Sequence, residues 1–381
     1  MTTIDHSSRA HALLSASSAH RWLNCPPSAL AVELYPRQDT AYTREGTTAH
    51  EVAEWVASGK AKKGPALNKG QDDGVTPEML ECARGYSDYI QEHIKDEHAL
   101  LLLEQRVDFS PWVPDGFGTC DCIIVQGDTL TVIDYKYGEG VPVSAADNPQ
   151  MKLYALGALN DYGFAYDVDK IEMHIYQPRI NNISVDTLTI DELVEWAKQI
   201  KPIAEQAAKG EGEYKPGDWC KFCPHAGKCR RLAQVCLTFV KHHGATIGVP
   251  VLAPFEVAEA LQMEPMISLW LKRVKDQALT SMLNGEQVPG YKVVEGKQGN
   301  RKWVDELKVA DVLKGAGYAQ EDYTETKLLS PAAMDKALGK KRAAELLDGM
   351  TERTPGAPTV VPESDKRAPY DRLAEAQKEF A

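Results

Sequence analysis

Three cysteines, Cys220, Cys223 and Cys229, fall within ten residues, and a fourth, Cys25, stands far from them in Leu23-Asn24-Cys25-Pro26-Pro27. If the four thiolates hold one metal centre, the chain between them closes a loop of roughly two hundred residues. Everything from Cys25 to Cys229 must then fold as one unit whose ends meet. Without a recognisable secretory leader, eight cysteines point to metal ligation before disulfides. Cys82, Cys120, Cys122 and Cys236 fit the role of small apolar residues. Two centres suit the remaining set. Zinc takes Cys₄ or Cys₃His, and His225 lies inside the triplet. An iron–sulfur cubane takes four thiolates. A structural zinc site usually has two short cysteine pairs, so the isolated Cys25 favours the cluster, with structural Zn²⁺ as the alternative.

A second constellation lies inside the loop. In Asp134-Tyr135-Lys136 the first and third residues of a strand share a face. Gln126-Gly127-Asp128 reads as a hairpin turn, which brings Asp121 on the preceding strand near Ile133 or Asp134. Two adjacent carboxylates suit Mg²⁺, and an imidazole from His50 suits Mn²⁺ as well. Such an ion lowers the pKa of water and offsets charge on a phosphate. Lys136 can orient or deprotonate the water and stabilise the developing anion. An Asp-x-Lys alone is more often a solvated ion pair. The weight lies in the order His50, Asp121, Asp134, Lys136, then Gln150-x-x-x-Tyr154.

The pattern of the chain predicts helices at Ala16–Asn24, Pro27–Leu34, Tyr42–Ala57 and Pro77–His98, with an exposed loop at Lys60–Gly74. Short strands follow at Ala99–Glu104, Gly118–Val125 and Thr129–Lys136, then a helix at Met151–Leu159, a strand at Ile171–Gln177 and a helix at Ile190–Lys209. That order implies an α/β fold with a mixed sheet. At 381 residues two domains are expected. The break at His243–Pro254 divides 1–244 from a mostly helical extension, 245–381. The extension holds one or two helices in Phe255–Leu283, a small hairpin at 291–304, helices at Glu306–Ala316 and Pro331–Gly349, and a polar, proline-rich end.

The ordered motifs resemble the RecB-type branch of the PD-(D/E)xK nucleases, which carry His, Asp, Asp/Glu-x-Lys and Gln-x-x-x-Tyr in this sequence. The resemblance covers roughly residues 10 to 240 and implies a restriction-endonuclease-like core, a mixed sheet flanked by helices. It implies that His50, Asp121 and Asp134 bind Mg²⁺ or Mn²⁺, that Lys136 acts on water, and that Gln150 and Tyr154 line the site and contact DNA. Asp121 departs from the branch in following Gly-Thr-Cys instead of Pro. Glu104, on the strand before, also faces this pocket in that reading. The cysteines resemble the staple of AddB-type helicase–nucleases and of CRISPR-associated RecB-like exonucleases, which implies a [4Fe–4S] cluster on Cys25, Cys220, Cys223 and Cys229. The whole chain resembles an uncharacterised phage and prophage family of RecB-like proteins, with Tyr291–Gly296, Asn300–Trp303 and Val361–Arg367 carrying the similarity.

Together these imply a metal-dependent DNA nuclease, an exonuclease of phage replication, recombination or repair. The alternatives are a non-catalytic DNA-binding accessory that keeps the fold, or a zinc-stapled protein of other function. A net charge of −12 argues against DNA binding by the whole surface. It leaves room for a local basic patch at Lys215, Lys221, Lys228, Arg230, Arg231 and Lys241. No Gly-x-x-x-x-Gly-Lys-Ser/Thr loop is present, so unwinding falls to a helicase partner, and a single-strand-binding or annealing protein is a second expected partner. No apolar run approaches the ~20 residues of a membrane span, and the N-terminus lacks a leader pattern, so the expected place is the cytoplasm of a bacterial host.

Overall fold

The computed structural model describes residues 12–35, 40–59, 74–244, 253–293 and 314. The expected loop at 60–73, the hairpin beyond Val293, the helices at 306–316 (apart from Lys314) and 331–349, and the polar end lie outside these residues. The expected boundary beyond Gly244 also falls on residues that are not described, 245–252. The chain divides into a compact unit of Met1–Val294 and a second of Glu295–Ala381. The fold below is that of the first.

Among the described residues the unit is a mixed α/β assembly. Helices α1 (Ala19–Asn24), α2 (Ser28–Ala31), α3 (Ala41–Ala57) and α4 (Pro77–His93) precede the strands β1 (Leu100–Asp108), β2 (Phe117–Gln126) and β3 (Thr129–Tyr135). Then come α5 (Pro149–Tyr162), β4 (Lys170–Gln177), β5 (Asn182–Thr189) and α6 (Ile190–Lys209). Two short 3₁₀ turns carry the cysteine triplet, followed by α7 (Arg230–Gly244) and α8 (Pro254–Leu283). The sheet order is β1-β2-β3-β4-β5, antiparallel except for the parallel pair β3–β4, which α5 crosses over to connect.

Local chemistry sets the helix ends. Thr40 and Thr43 form a capping box on α3, and Thr189 and Glu192 do so on α6, which stops at Gly210 with φ +68°. Asn148 caps α5 and Pro149 occupies its first turn. Helix α4 stops at His93, short of the expected His98, and the backbone N–H of Lys95 donates to Gln126 Oε1. Strand β5 is absent from the sequence reading, although Asn182–Thr189 alternates between half-buried and exposed positions.

The sheet separates two cores. One lies beneath α1, α5 and α6 and takes Val107, Cys120, Ile123, Val132, Met173 and Ile175. The other lies beneath α3 and α4 and takes Leu103, Cys122, Ile124, Ile133 and Tyr135. Residues two or four apart on a strand share a face. Yet Cys120 and Cys122 pack into opposite cores, and so do Leu103 and Val107. Both strands therefore change phase at one level, between Leu103 and Val107 on β1 and at Asp121 on β2. Glu104, at that level, has φ +46°, a left-handed backbone in a strand interior. Beyond Cys122↔Ile133, β2 keeps its pairs with β1 but has none with β3. The sheet opens there.

Candidate metal centre and cysteine site

The opening is lined by acids from three strands. The flanking pairs Leu103↔Cys122 and Gln105↔Cys120 put Glu104 opposite Asp121, and Cys122↔Ile133 puts Asp121 opposite Asp134. Where the ladder between β2 and β3 ends, Asp121 substitutes for it: the backbone N–H of Tyr135 donates to Asp121 Oδ2 at 2.7 Å. The other oxygen, Oδ1, lies 3.3 Å from His50 Nδ1, and Glu104 Oε1 lies 3.9 Å from the same nitrogen. His50 arrives from α3 with its ring edge against Tyr135, 5.4 Å between centroids. One donor atom each from His50, Glu104 and Asp121 falls within 4.8 Å of the others, a spacing one cation can bridge.

Asp134 and Lys136 share a face, as expected. The Lys136 ammonium lies 2.8 Å from Asp134 Oδ2, and Gln150 Nε2 donates to Asp134 Oδ1 at 2.8 Å. Asp134 is buried, with its Oδ2 against the ammonium. Lys136 also donates to Gln150 Oε1 at 3.5 Å. Tyr154, one turn along α5, holds its hydroxyl 3.5 Å from Gln150 Nε2. Gly118 makes room for that ring, because a Cβ there would lie 2.8 Å from Tyr154 Cε1. All six residues expected at the site, His50, Asp121, Asp134, Lys136, Gln150 and Tyr154, therefore stand around one opening, and Glu104 joins them.

The field at the opening is strongly negative. Burial pushes the Asp134 carboxyl up, against the pull of Lys136. Burial likewise raises Glu104, against its contact with His50. Burial opposes a charge on His50, but Asp121, Glu104 and Asp134 outweigh it and push the imidazole up to about 10. Lys136 is also held above its usual range: burial disfavours its charge, and Asp134 and Asp121 more than restore it. A carboxylate set that recruits a proton onto a histidine is a set that also attracts a cation. One oxygen each from Glu104 and Asp121 with the His50 imidazole is a donor set that could hold Mg²⁺ or Mn²⁺.

Sequence reasoning missed Arg179 near this site. It follows β4, stacks over the Tyr137 ring at 4.6 Å and pairs with Glu45 of α3, Glu78 of α4 and Glu139. It ties the starts of both helices to the segment after β3.

The cysteines also converge. Cys25 caps the C-terminus of α1, Cys220 sits in the first 3₁₀ turn, and Cys223 and Cys229 flank the second. All four line one cavity, with His225 and Arg21, and all four are free thiols. Cys82, Cys120, Cys122 and Cys236 do not line it. Burial raises Cys220 to about 11 and raises Cys223 as well. The backbone N–H of Gly217 points at Cys220 Sγ, and that of Leu232 at Cys229 Sγ, each at 3.5 Å. His225 turns its Nδ1 to the Tyr35 hydroxyl at 3.1 Å. Helix α8 backs this segment through Met266, Ile267, Leu269 and Trp270.

Comparison with known proteins places the chain by family. The family described as "Protein of unknown function (DUF2800)" matches residues 11–368, nearly the whole length, and the chain belongs to it. Among solved structures, that of SSO0001 is similar over 54% of this chain and 94% of the other, at 14% identity and a TM-score of 0.24. No helix among the described residues is long and apolar enough to cross a membrane.

Proposed function

We propose that this member of the family is a metal-dependent deoxyribonuclease with a RecB-type PD-(D/E)xK core, acting as an exonuclease in phage or prophage DNA replication, recombination or repair. One observation carries the reading: His50, Glu104, Asp121, Asp134 and Lys136 come from one helix and three strands to the place where β2 parts from β3. A chance Asp-x-Lys on a strand does not gather a histidine and two further carboxylates. His50, Asp121 and Asp134 would hold Mg²⁺ or Mn²⁺, with Glu104 as a further oxygen donor. The bound ion would supply an acidified water and a counter-charge for the phosphate. Lys136, beside Asp134, would orient or deprotonate the water and stabilise charge on the phosphate oxygens. Gln150 fixes the Asp134 carboxylate through Oδ1, and Tyr154 extends the wall along which a DNA strand would run.

The cysteine cavity fits a metal centre by its donors: four convergent thiols and two backbone N–H groups aimed at sulfur. A structural zinc site usually has two short cysteine pairs, so the isolated Cys25 favours a [4Fe–4S] cluster on Cys25, Cys220, Cys223 and Cys229, with structural Zn²⁺ as the alternative. Such a centre would pin the two ends of the core together. The protein partners in this reading are a helicase and a single-strand-binding or annealing protein, in the cytoplasm of a bacterial host.

The test is degradation of end-labelled linear DNA by the full chain with Mg²⁺ or Mn²⁺, against a chelator control and Asp121→Ala. Cleavage that needs both the ion and Asp121 supports the reading. DNA binding without cleavage under every ion would assign the chain to the non-catalytic alternative.

A further inference from the structure

The cysteine cavity contains a residue of the opposite character. Arg21 lies one helical turn before Cys25, whose backbone N–H donates to the Arg21 carbonyl at 2.9 Å. Its side chain lines the same cavity as the four thiols. The guanidinium is fixed in place: Nη1 donates to the Ser28 carbonyl at 2.7 Å and to Ser28 Oγ at 3.0 Å, and Ser28 is itself buried. A guanidinium taken out of water needs negative charge close by. Burial lowers the Arg21 pKa, and the groups that raise it again are Cys223 and Cys25, then Glu33.

We infer that Arg21 is the charge partner of the loaded cysteine site, a positioning residue that sets how firmly the metal centre is held and at what potential it is reduced. The inference rests on the proposal that the four cysteines bind a metal centre, but not on which centre. A zinc ion on four thiolates and an oxidised four-iron cluster on four thiolates both leave a net charge of about −2. The cavity sets that charge beside a cation anchored by two hydrogen bonds. Reduction of such a cluster would add one more negative charge, which Arg21 would stabilise. Charge and hydrogen bonding around the sulfurs are what tune such centres.

The experiment uses the full chain purified without oxygen, as wild type, Arg21→Gln and Arg21→Lys. Metal and sulfide per chain, the rate of stripping by a chelator and, for an iron cluster, the reduction midpoint are measured. Arg21→Gln should lose its metal about tenfold faster, and its midpoint should move to more negative potential. Arg21→Lys should keep most of both properties. A midpoint and stripping rate unchanged in Arg21→Gln overturn the inference. Equal loss in Arg21→Gln and Arg21→Lys also overturns it, because the fork to Ser28 would then matter and the charge would not. Wild-type protein without bound metal defeats the underlying metal reading, a result distinct from a loaded protein indifferent to position 21.

Discussion

Replacing Lys136 by Met should expose what the ammonium does in the resting protein as well as in catalysis. The Asp134 side chain is 3% exposed, whereas Lys136 keeps 29% of its surface. Removing one partner of a buried ion pair costs about 3–5 kcal/mol. Here the lysine is partly solvated, and Gln150 still donates to Asp134 Oδ1, so the loss should fall to about 2 kcal/mol. The lost stability should depend on conditions in two ways. With the lysine gone, the already raised Asp134 carboxyl rises further above its unfolded value, so the folded variant gains a proton before the unfolded chain does. Stability then recovers as pH falls through the folded pKa, and the gap to wild type narrows at low pH. Mn²⁺ should narrow the gap as well, by binding the orphaned carboxylate in the folded state. DNA cleavage should fall by about 10²-fold or more. Urea unfolding in chelator, in Mn²⁺ and across pH, together with a cleavage assay, reads all of this. A variant as stable as wild type in chelator, and cleaving at a normal rate, would refute the reasoning.

Three further outcomes are expected. Cys25→Ser should cut metal retention and lower the melting temperature, although Cys25 lies far in sequence from Cys220, Cys223 and Cys229; unchanged metal content would remove Cys25 from the ligand set. His174, beneath α4, is depressed to about 4 by burial and then by neighbouring His93. The unfolded chain takes up this proton near pH 6.5 and the folded chain does not, so about 3 kcal/mol should be lost as pH falls from 6.5 to 4, and His174→Gln should flatten that slope in urea titrations. Gly157→Ala would place a Cβ 2.8 Å from Val107 Cβ, where α5 lies against β1; unfolding should show a loss of about 1–3 kcal/mol.

The sequence carried the site better than the sheet. His50, Asp121, Asp134, Lys136, Gln150 and Tyr154 stand out by their order along the chain, because each residue type alone is common on a helix or strand. The hairpin at Gly127 brings Asp121 to Ile133 or Asp134 by counting, and the ladder selects Asp134. Most helices follow from apolar spacing and caps. Strand β5 was legible in its alternation, but Asn, Ser, Asp and Thr occupy so many of its positions that it reads as loop on composition. Arg21 and Arg179 gave no signal, because a guanidinium becomes informative only when the groups around it are known.

What no pattern revealed is why the acids meet. A regular sheet would pair β2 with β3 through Asp121 and fill the space between them with ladder hydrogen bonds. Instead β1 and β2 change phase at the same level, at Glu104 and Asp121, and the Asp121 carboxylate occupies the hydrogen-bonding place that a strand backbone would have taken against Tyr135. A non-glycine residue at φ +46° costs on the order of 1 kcal/mol or more, and packing on both faces has to enforce it. Cys122, Ile124 and Ile133 on one side and Cys120, Ile123 and Val132 on the other hold the strands where the phase change is forced. The opening is thus a product of the two cores acting against local backbone preference. It lets His50, on a helix over one face, reach the carboxylates that Lys136 and Gln150 approach from the other. A sheet without that distortion would keep every one of these residues and leave the histidine and the lysine on opposite sides of a closed wall.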